Sequence, residues 1–171
     1  AGLNSCCSCT ITGILDLQSP NPSATLGLLD MGSDTLTMGE NATTTGIGDV
    51  TGIVRRAHTF TPFSTYTFGS EHTTFTFVDN SLKPEWICVK ISIGNTPGWT
   101  PWDPLPNGII NRMYYVSSSD NSSTSQANIN MRYLTSEFDP VYNDEEKLVF
   151  WHKFTPFMGG EPHEHGKAVQ D

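Results

Sequence analysis

Positive charge is scarce in this sequence of 171 residues. It has 9 lysines and arginines against 18 aspartates and glutamates, which gives a formal net charge of −9. An acidic surface repels phosphate backbones and anionic lipid headgroups. We therefore expect neither nucleic acid nor an anionic membrane surface among the partners of this chain.

Long apolar runs are also missing. The longest is far shorter than the roughly 18 residues that a membrane-spanning helix needs, so we predict no membrane insertion. The first residues, from Ala1 to Ser5, have neither the basic start nor the apolar stretch of a signal peptide. We expect the sequence to begin inside a longer polypeptide or after proteolytic processing.

No motif in the sequence identifies a catalytic site. The serines, histidines and aspartates of its first half include Ser33, Ser64, Ser70, His58, His72, Asp49 and Asp79. A catalytic triad is defined by geometry rather than by order along the chain. However, there is no Gly-x-Ser-x-Gly elbow, and Gly69-Ser70-Glu71 resembles only its beginning. We predict that the protein is not an enzyme, and a β-sandwich hydrolase or metal-binding protein remains the third alternative.

Four cysteines are present, at Cys6, Cys7, Cys9 and Cys88. Three of them fall within four positions with no second pair, which is not the spacing of a zinc site. Cys88 has the parity opposite to Ile87 and Val89, so we expect it to face the other side of its strand. A disulfide to Cys88 depends on the Cα spacing, and the redox state of the four thiols stays open.

Apolar residues recur at every second position through the block from Ile47 to Ile93. The apolar positions that share a face are Phe60, Tyr66 and Phe68, then Phe75 and Phe77, then Ile87, Val89, Ile91 and Ile93. The pattern returns later, with Ala127, Ile129, Met131 and Tyr133 inward and Gln126, Asn128, Asn130 and Arg132 outward. This period is typical of strands with one buried face and one solvent-facing side.

Eight or nine such strands, separated by Gly, Pro, Ser and Asn turns, predict an all-β fold with little helix. We expect an antiparallel β-sandwich, either jelly-roll-like or a Greek-key barrel. We assign residues 1–10 to a linker or N-terminal tail and residues 11–158 to a single β domain. Residues 159–171 form a polar C-terminal tail in this assignment.

Two adjacent arginines lie within the alternating block. On a strand, Arg55 and Arg56 point to opposite faces, so one of them points inward or into an interface. The planar guanidinium of the inward one needs hydrogen-bond acceptors, and we expect an acidic partner for it.

A proline-rich connection over residues 94–108 carries two tryptophans, Trp99 and Trp102, followed by Asp103. Stiff amphipathic aromatics lose little entropy on binding and are favoured as interface anchors, although both could instead cover the end of a sandwich. Loops 39–46 and 117–125 complete the candidate recognition surface. Their candidate residues are Asn41, Thr43, Asn121 and Ser122, and both loops carry the N-glycosylation pattern.

Near the C-terminus, Glu161, His163 and His165 form a weak candidate for a metal site. Two histidines at positions i and i+2 fall on one side of an extended segment, and a carboxylate completes three ligands. A solvated tail explains the same residues. The acidic stretch 139–146 lacks the EF-hand spacing, so we predict neither a metal nor a cofactor.

In its overall texture the chain resembles a known class of protein. The class is the protruding domain of capsid proteins of non-enveloped small RNA viruses, of the nodavirus and tetravirus kind. The resemblance lies in β-rich, acidic, Thr-, Ser-, Asn- and Gly-heavy composition with long loops, and in phrases such as Thr45-Gly-Ile-Gly-Asp-Val50 and Val149-Phe-Trp-His152. It implies a domain on the virion surface that makes homo-oligomeric subunit contacts and attaches to a host receptor or glycan. No catalytic residue is carried over.

The second class of function is a secreted carbohydrate-binding β-sandwich module that uses Trp99 and Trp102. Specific sugar binding that is lost on replacing either tryptophan by alanine favours the module. Particle assembly by a longer parent chain favours the capsid interpretation.

Overall fold

The structure, a computed structural model, describes residues 8–18, 27–78, 83–93, 110, 112–119, 126–134, 137, 149–152 and 163–167. These residues form twelve strands and confirm the predicted all-β class. The strands are β1 (Cys9–Ile11), β2 (Ile14–Asp16), β3 (Leu28–Met38), β4 (Thr43–Thr45), β5 (Asp49–Ala57), β6 (Thr65–Thr67), β7 (Thr74–Phe77), β8 (Trp86–Ile93), β9 (Arg112–Ser118), β10 (Ala127–Asn130), β11 (Val149–His152) and β12 (His163–Lys167). Within these ranges, no helix has the length and apolar content needed to cross a membrane.

The chain divides into two compact units, and each is described by itself. The first comprises residues 1–94 and 112–132, and the second comprises residues 95–111 and 133–171. The second contains the antiparallel ribbon of β11 and β12. β12 falls in the segment predicted as a polar tail, and β1 overlaps the predicted linker. The assignment of residues 11–158 to one domain stays a prediction.

The first unit is sandwich-like. A five-stranded sheet, in the order β1-β3-β5-β8-β9, and a three-stranded sheet, in the order β10-β7-β6, share one apolar core. The core contains Leu17, Leu36, Met38, Ala42, Val50, Val54, Phe60, Tyr66, Phe68, Phe75, Phe77, Ile87, Val89 and Ile91. Eight of the thirteen residues that alternation assigned to the buried face are in this set, and Ile93 and Ala127 pack against it, so the prediction is confirmed for these. The inward assignment of Ile129 is wrong, because it lies on the edge strand β10 and is 44% exposed. Cys88 is half-buried on the opposite side of β8, as expected, and is a free thiol, as is the exposed Cys9.

The sandwich-like fold is as predicted, but three of its strand pairs are parallel where antiparallel pairing was expected. β1 pairs with β3, β3 with β5, and β2 with β4 in parallel, whereas the other pairs are antiparallel. The chain runs from β1 to β2, then from β3 to β4 and then from β5 to β6. Because β1, β3 and β5 pair in parallel, and so do β2 and β4, these strand pairs stack on one another, and we call each pair a rung. Alternation did not reveal this because parallel and antiparallel strands have the same two-residue period.

β3 continues through Gly32 as one strand, with an irregularity in its pairing. Its pairing with β5 stops at Asp30 and resumes at Thr35. Gly32 has a φ of 56°, a left-handed conformation that glycine adopts readily. The Gly32 amide and the Thr51 hydroxyl both donate to Asp30 Oδ1, at 2.9 and 3.0 Å, and these two bonds lower the pKa of Asp30. The carboxylate therefore holds the irregular part of β3 against β5.

We predict that Asp30→Asn lowers the free energy of unfolding at pH 7 and changes it less at pH 3. A carboxylate whose pKa is lowered by folding stabilises the fold above its ordinary pKa of 3.8, and this contribution is lost as the pH falls through the folded value. Urea denaturation at both pH values measures the difference. Glu40→Gln, at an exposed position, is the control. A difference that does not shrink at low pH contradicts the assignment.

Candidate functional site

The inward arginine of the adjacent pair is Arg56, which is fully buried, whereas Arg55 is exposed. Arg56 is paired with Met38 on β3, which is paired in turn with Ile11 on β1. Arg56 is therefore the third residue of a stack across three parallel strands, and the first two residues, Ile11 and Met38, are apolar. The expectation of one inward arginine is confirmed.

Backbone carbonyl oxygens, and not an acid, bind the Arg56 guanidinium, so the expected acidic partner is wrong. Nε donates to Thr67 O at 2.8 Å, Nη1 to Gly39 O at 2.7 Å and Nη2 to Ala42 O at 2.5 Å. The turn between β3 and β4 directs its carbonyls inward, where they have no ladder partner. A buried carbonyl needs a donor, and the forked guanidinium supplies donors to both ends of this turn.

Two aromatic rings enclose the same guanidinium. The centroids of the Tyr66 and Phe68 rings lie 5.5 and 5.6 Å from its central carbon, which is cation–π distance. Burial lowers the pKa of Arg56 from its ordinary value to about 10, while the charge interaction with Tyr66 acts in the opposite direction. Arg56 therefore stays cationic at neutral pH, and the attraction to the rings is retained.

The segment that Arg56 supports, Gly39–Ala42, is named the corner loop. Its hydrogen bonds run from Gly39 N to Ile11 O (2.8 Å), from Ala42 N to Gly39 O (3.1 Å) and, just beyond it, from Thr43 N to Gly13 O (3.1 Å). Asn41 is exposed at its tip, and Thr43 is half-buried at the start of β4. Of the candidate recognition residues, these two are therefore presented by a loop whose backbone is fixed before any partner binds.

The other predicted site residues fall elsewhere. The residues Trp99, Trp102, Asp103, Asn121, Ser122 and Glu161 lie outside the described residues. His163 and His165 lie on β12, and the backbone pairing puts His152 opposite His163. Within the described part of the chain, no three histidine, cysteine or acidic residues form a group that could hold a metal ion. The metal prediction at the C-terminus stays a prediction.

Among the hydrolase candidates of the first half, Ser70, His72 and His58 make structural contacts. The fully buried Ser70 accepts a hydrogen bond from the His72 amide at 3.3 Å, and His72 Nε2 lies 3.2 Å from Glu71 Oε1. The His58 ring packs 4.4 Å from the Phe60 ring. Asp79 lies outside the described residues. These contacts close a turn and fill space, and they give no support to the hydrolase alternative.

Asp49 is a buried carboxylate that joins two arginines. Its Oδ2 accepts from Arg112 Nη2 at 2.9 Å and from Arg132 Nη2 at 3.3 Å. Arg132 Nη2 also donates to the Ile47 carbonyl, and the Tyr114 hydroxyl donates to Arg132 O at 2.6 Å. Arg132 was predicted to face outward, which is wrong. β10 ends at Asn130, so alternation no longer determines the direction of the side chain two residues later.

We predict that Asp49→Asn lowers the free energy of unfolding by about 3–5 kcal/mol, because it leaves two largely buried guanidinium groups without their shared anion. Chemical denaturation measures the change. Glu40→Gln removes an exposed carboxylate and is expected to change stability by less than about 0.5 kcal/mol. A loss of under about 1 kcal/mol for Asp49→Asn would show that the pair contributes little.

We also predict that Arg56→Met lowers the free energy of unfolding by about 3 kcal/mol or more, because the carbonyls of Ala42 and Thr67 lose their guanidinium donor and Gly39 O keeps only the Ala42 amide. Since the folded pKa of Arg56 is about 10, the loss is expected to be the same at pH 6 and pH 8. Hydrogen exchange at the Ala42 and Thr43 amides reports on the corner loop. Arg55→Met, on the exposed face of the same strand, is the matched control. Unchanged exchange in Arg56→Met would contradict the bracing role.

Comparisons of this chain with models of protein families, with curated proteins and with solved structures give no match in any of the three. Function therefore has to be argued from the residues of this chain. The described surface includes the corner loop, which Arg56 holds in place, and the buried charges of the described interior hold the strands together.

Proposed function

We propose that this chain is a recognition domain without catalytic activity, namely the surface-exposed protruding domain of a viral capsid protein. In this role it makes homo-oligomeric contacts between subunits and attaches the virion to a host receptor or glycan. The chain is all-β, and loops on a rigid β scaffold are a common means of recognition. The net charge of −9 keeps crowded copies soluble and mutually repelling.

The braced corner loop is the observation that carries this proposal. Its carbonyls are held from inside by Arg56, while Asn41 at its tip faces solvent. A loop that is already ordered loses little conformational entropy when a partner binds. The stability of the loop thus supports recognition rather than chemistry at this surface.

Assembly of the natural polypeptide that contains this sequence tests the proposal. We expect electron microscopy to show closed particles with this domain projecting from the shell. Asn41→Arg is expected to leave assembly intact and to reduce attachment of the particles to host cells, whereas Thr10→Val, on the exposed side of β1, changes neither. A natural polypeptide that forms no particle under any tested condition contradicts the capsid role.

The carbohydrate-binding module is the second candidate function. Its original candidates, Trp99 and Trp102, lie outside the described residues. The outer face of the three-stranded sheet, however, is neutral and rich in hydroxyl and amide groups, and this observation favours sugar binding. In that case the protein would be secreted rather than part of a virion.

A further inference from the structure

Phe63 combines two features that are rarely found together. Its φ is 61°, which places a bulky side chain in the left-handed region, and 67% of its surface is exposed. The turn from Thr61 to Ser64 is closed by a hydrogen bond from Ser64 N to Thr61 O at 3.3 Å. With Pro62 second and a positive φ third, it matches a type II turn, in which glycine is usual at the third position. The backbone is therefore strained at a residue that contributes little to the core.

Buried groups hold this turn on both sides. The Thr61 amide donates to the Tyr66 hydroxyl at 2.8 Å, and the Phe63 amide donates to Phe77 O at 2.8 Å. The Tyr66 and Phe77 side chains are both in the core. The turn is thus held at the end of β7, next to Val78, with an apolar ring left in solvent. Residues held in strained backbone conformations cluster at functional sites, so the strain at Phe63 points to a role in binding.

The three-stranded sheet that follows has one apolar face and one neutral polar face. Tyr66, Phe75 and Phe77 face the core. On the other face, the register aligns two rows, Thr65 with Thr76 and Asn128, and Thr67 with Thr74 and Asn130. We name these six residues the threonine–asparagine face. Neighbours lie about 4.8 Å apart across the strands and about 6.8 Å apart along them.

The six residues carry no charge, and the row of Thr65, Thr76 and Asn128 is the more accessible part of the face. Thr74 is buried, and Thr67 is half-buried and accepts a hydrogen bond from the Thr44 amide through its hydroxyl. Thr65, Asn128 and Asn130 are exposed, and Thr76 is half-buried. The Thr65 and Thr76 hydroxyl oxygens lie 2.8 Å apart, and Asn130 Nδ2 donates to Thr74 Oγ1 at 3.2 Å. Hydroxyl and amide groups both donate and accept, so those at the surface keep capacity for further hydrogen bonds.

We infer that Phe63 and the threonine–asparagine face bind a neutral saccharide. The Phe63 ring stacks on the apolar side of a sugar ring, and Thr65, Thr76 and Asn128 exchange hydrogen bonds with its hydroxyls. A sugar presents the same mixture of donors and acceptors without charge, whereas a protein partner favours a larger apolar centre. The inference goes beyond the proposed function, because this surface is separate from the corner loop that carries the capsid proposal, and it names a neutral saccharide as the ligand.

Binding of the full 171-residue chain to a printed array of neutral, sialylated and sulfated oligosaccharides tests the inference. Titration calorimetry with the best neutral oligosaccharide then gives the affinity. Phe63→Gly is expected to weaken binding about tenfold or more while the melting temperature stays equal or rises, because glycine fits the left-handed φ. Thr76→Val, which keeps shape and strand propensity, is expected to weaken binding about threefold to tenfold. Thr10→Val is the control on another sheet.

Three results overturn the inference. The first is that no neutral oligosaccharide binds on the array, the second is that only acidic glycans bind, and the third is that Phe63→Gly binds with unchanged affinity. The failure of this inference is distinct from the failure of the capsid proposal, because particle assembly by the natural polypeptide does not require Phe63→Gly or Thr76→Val to bind sugar.

Discussion

The convergence of three backbone carbonyl oxygens on the Arg56 guanidinium is the interaction on which the stacked strands depend. The chain turns between the two strands of each rung, and backbone carbonyls in such a turn have no partner in a β-ladder. Burial lowers the pKa of Arg56 to about 10, which shows that desolvation disfavours the buried cation. Hydrogen bonds to a charged donor contribute about 1.5–3 kcal/mol each, and three of them oppose that penalty. The corner is therefore stable with a buried cation and no buried anion.

Most of the few arginines of this chain lie inside the fold rather than at its surface. Of the four arginines in the sequence, Arg56, Arg112 and Arg132 are largely buried, and Arg112 and Arg132 share Asp49. Burying a charge with its acceptors fixes geometry, because any displacement leaves an unpaired group in the interior. In the first unit, buried cations thus hold strands in place, while the outer face of the three-stranded sheet is left to neutral groups.

The two-residue alternation predicted which side chains of a strand are buried, but not how the strands pair. It gave the buried faces of Phe75 and Phe77 and of β8, because burial on one face of a strand is a local property. The direction of neighbouring strands, and the turn of Arg132 toward Asp49, depend on contacts far apart in sequence. Proline is common at the second position of a turn, but Pro62 gives no sign that Phe63 takes the third position, where glycine is usual. The carbonyl partners of Arg56 could not be predicted, because backbone acceptors are present at every residue.

A neutral recognition surface limits how quickly and how tightly a single domain binds its ligand. Hydroxyl and amide groups give direction to hydrogen bonds but little long-range attraction, so encounter is not steered by charge. A small face of this kind gives weak binding by a single copy. Many copies on one particle convert later binding events into intramolecular ones, and overall avidity then rises by about 10²–10⁴ without any new contact. Display in many copies on an oligomeric surface therefore compensates for a weak sugar site, and the two proposals are physically consistent.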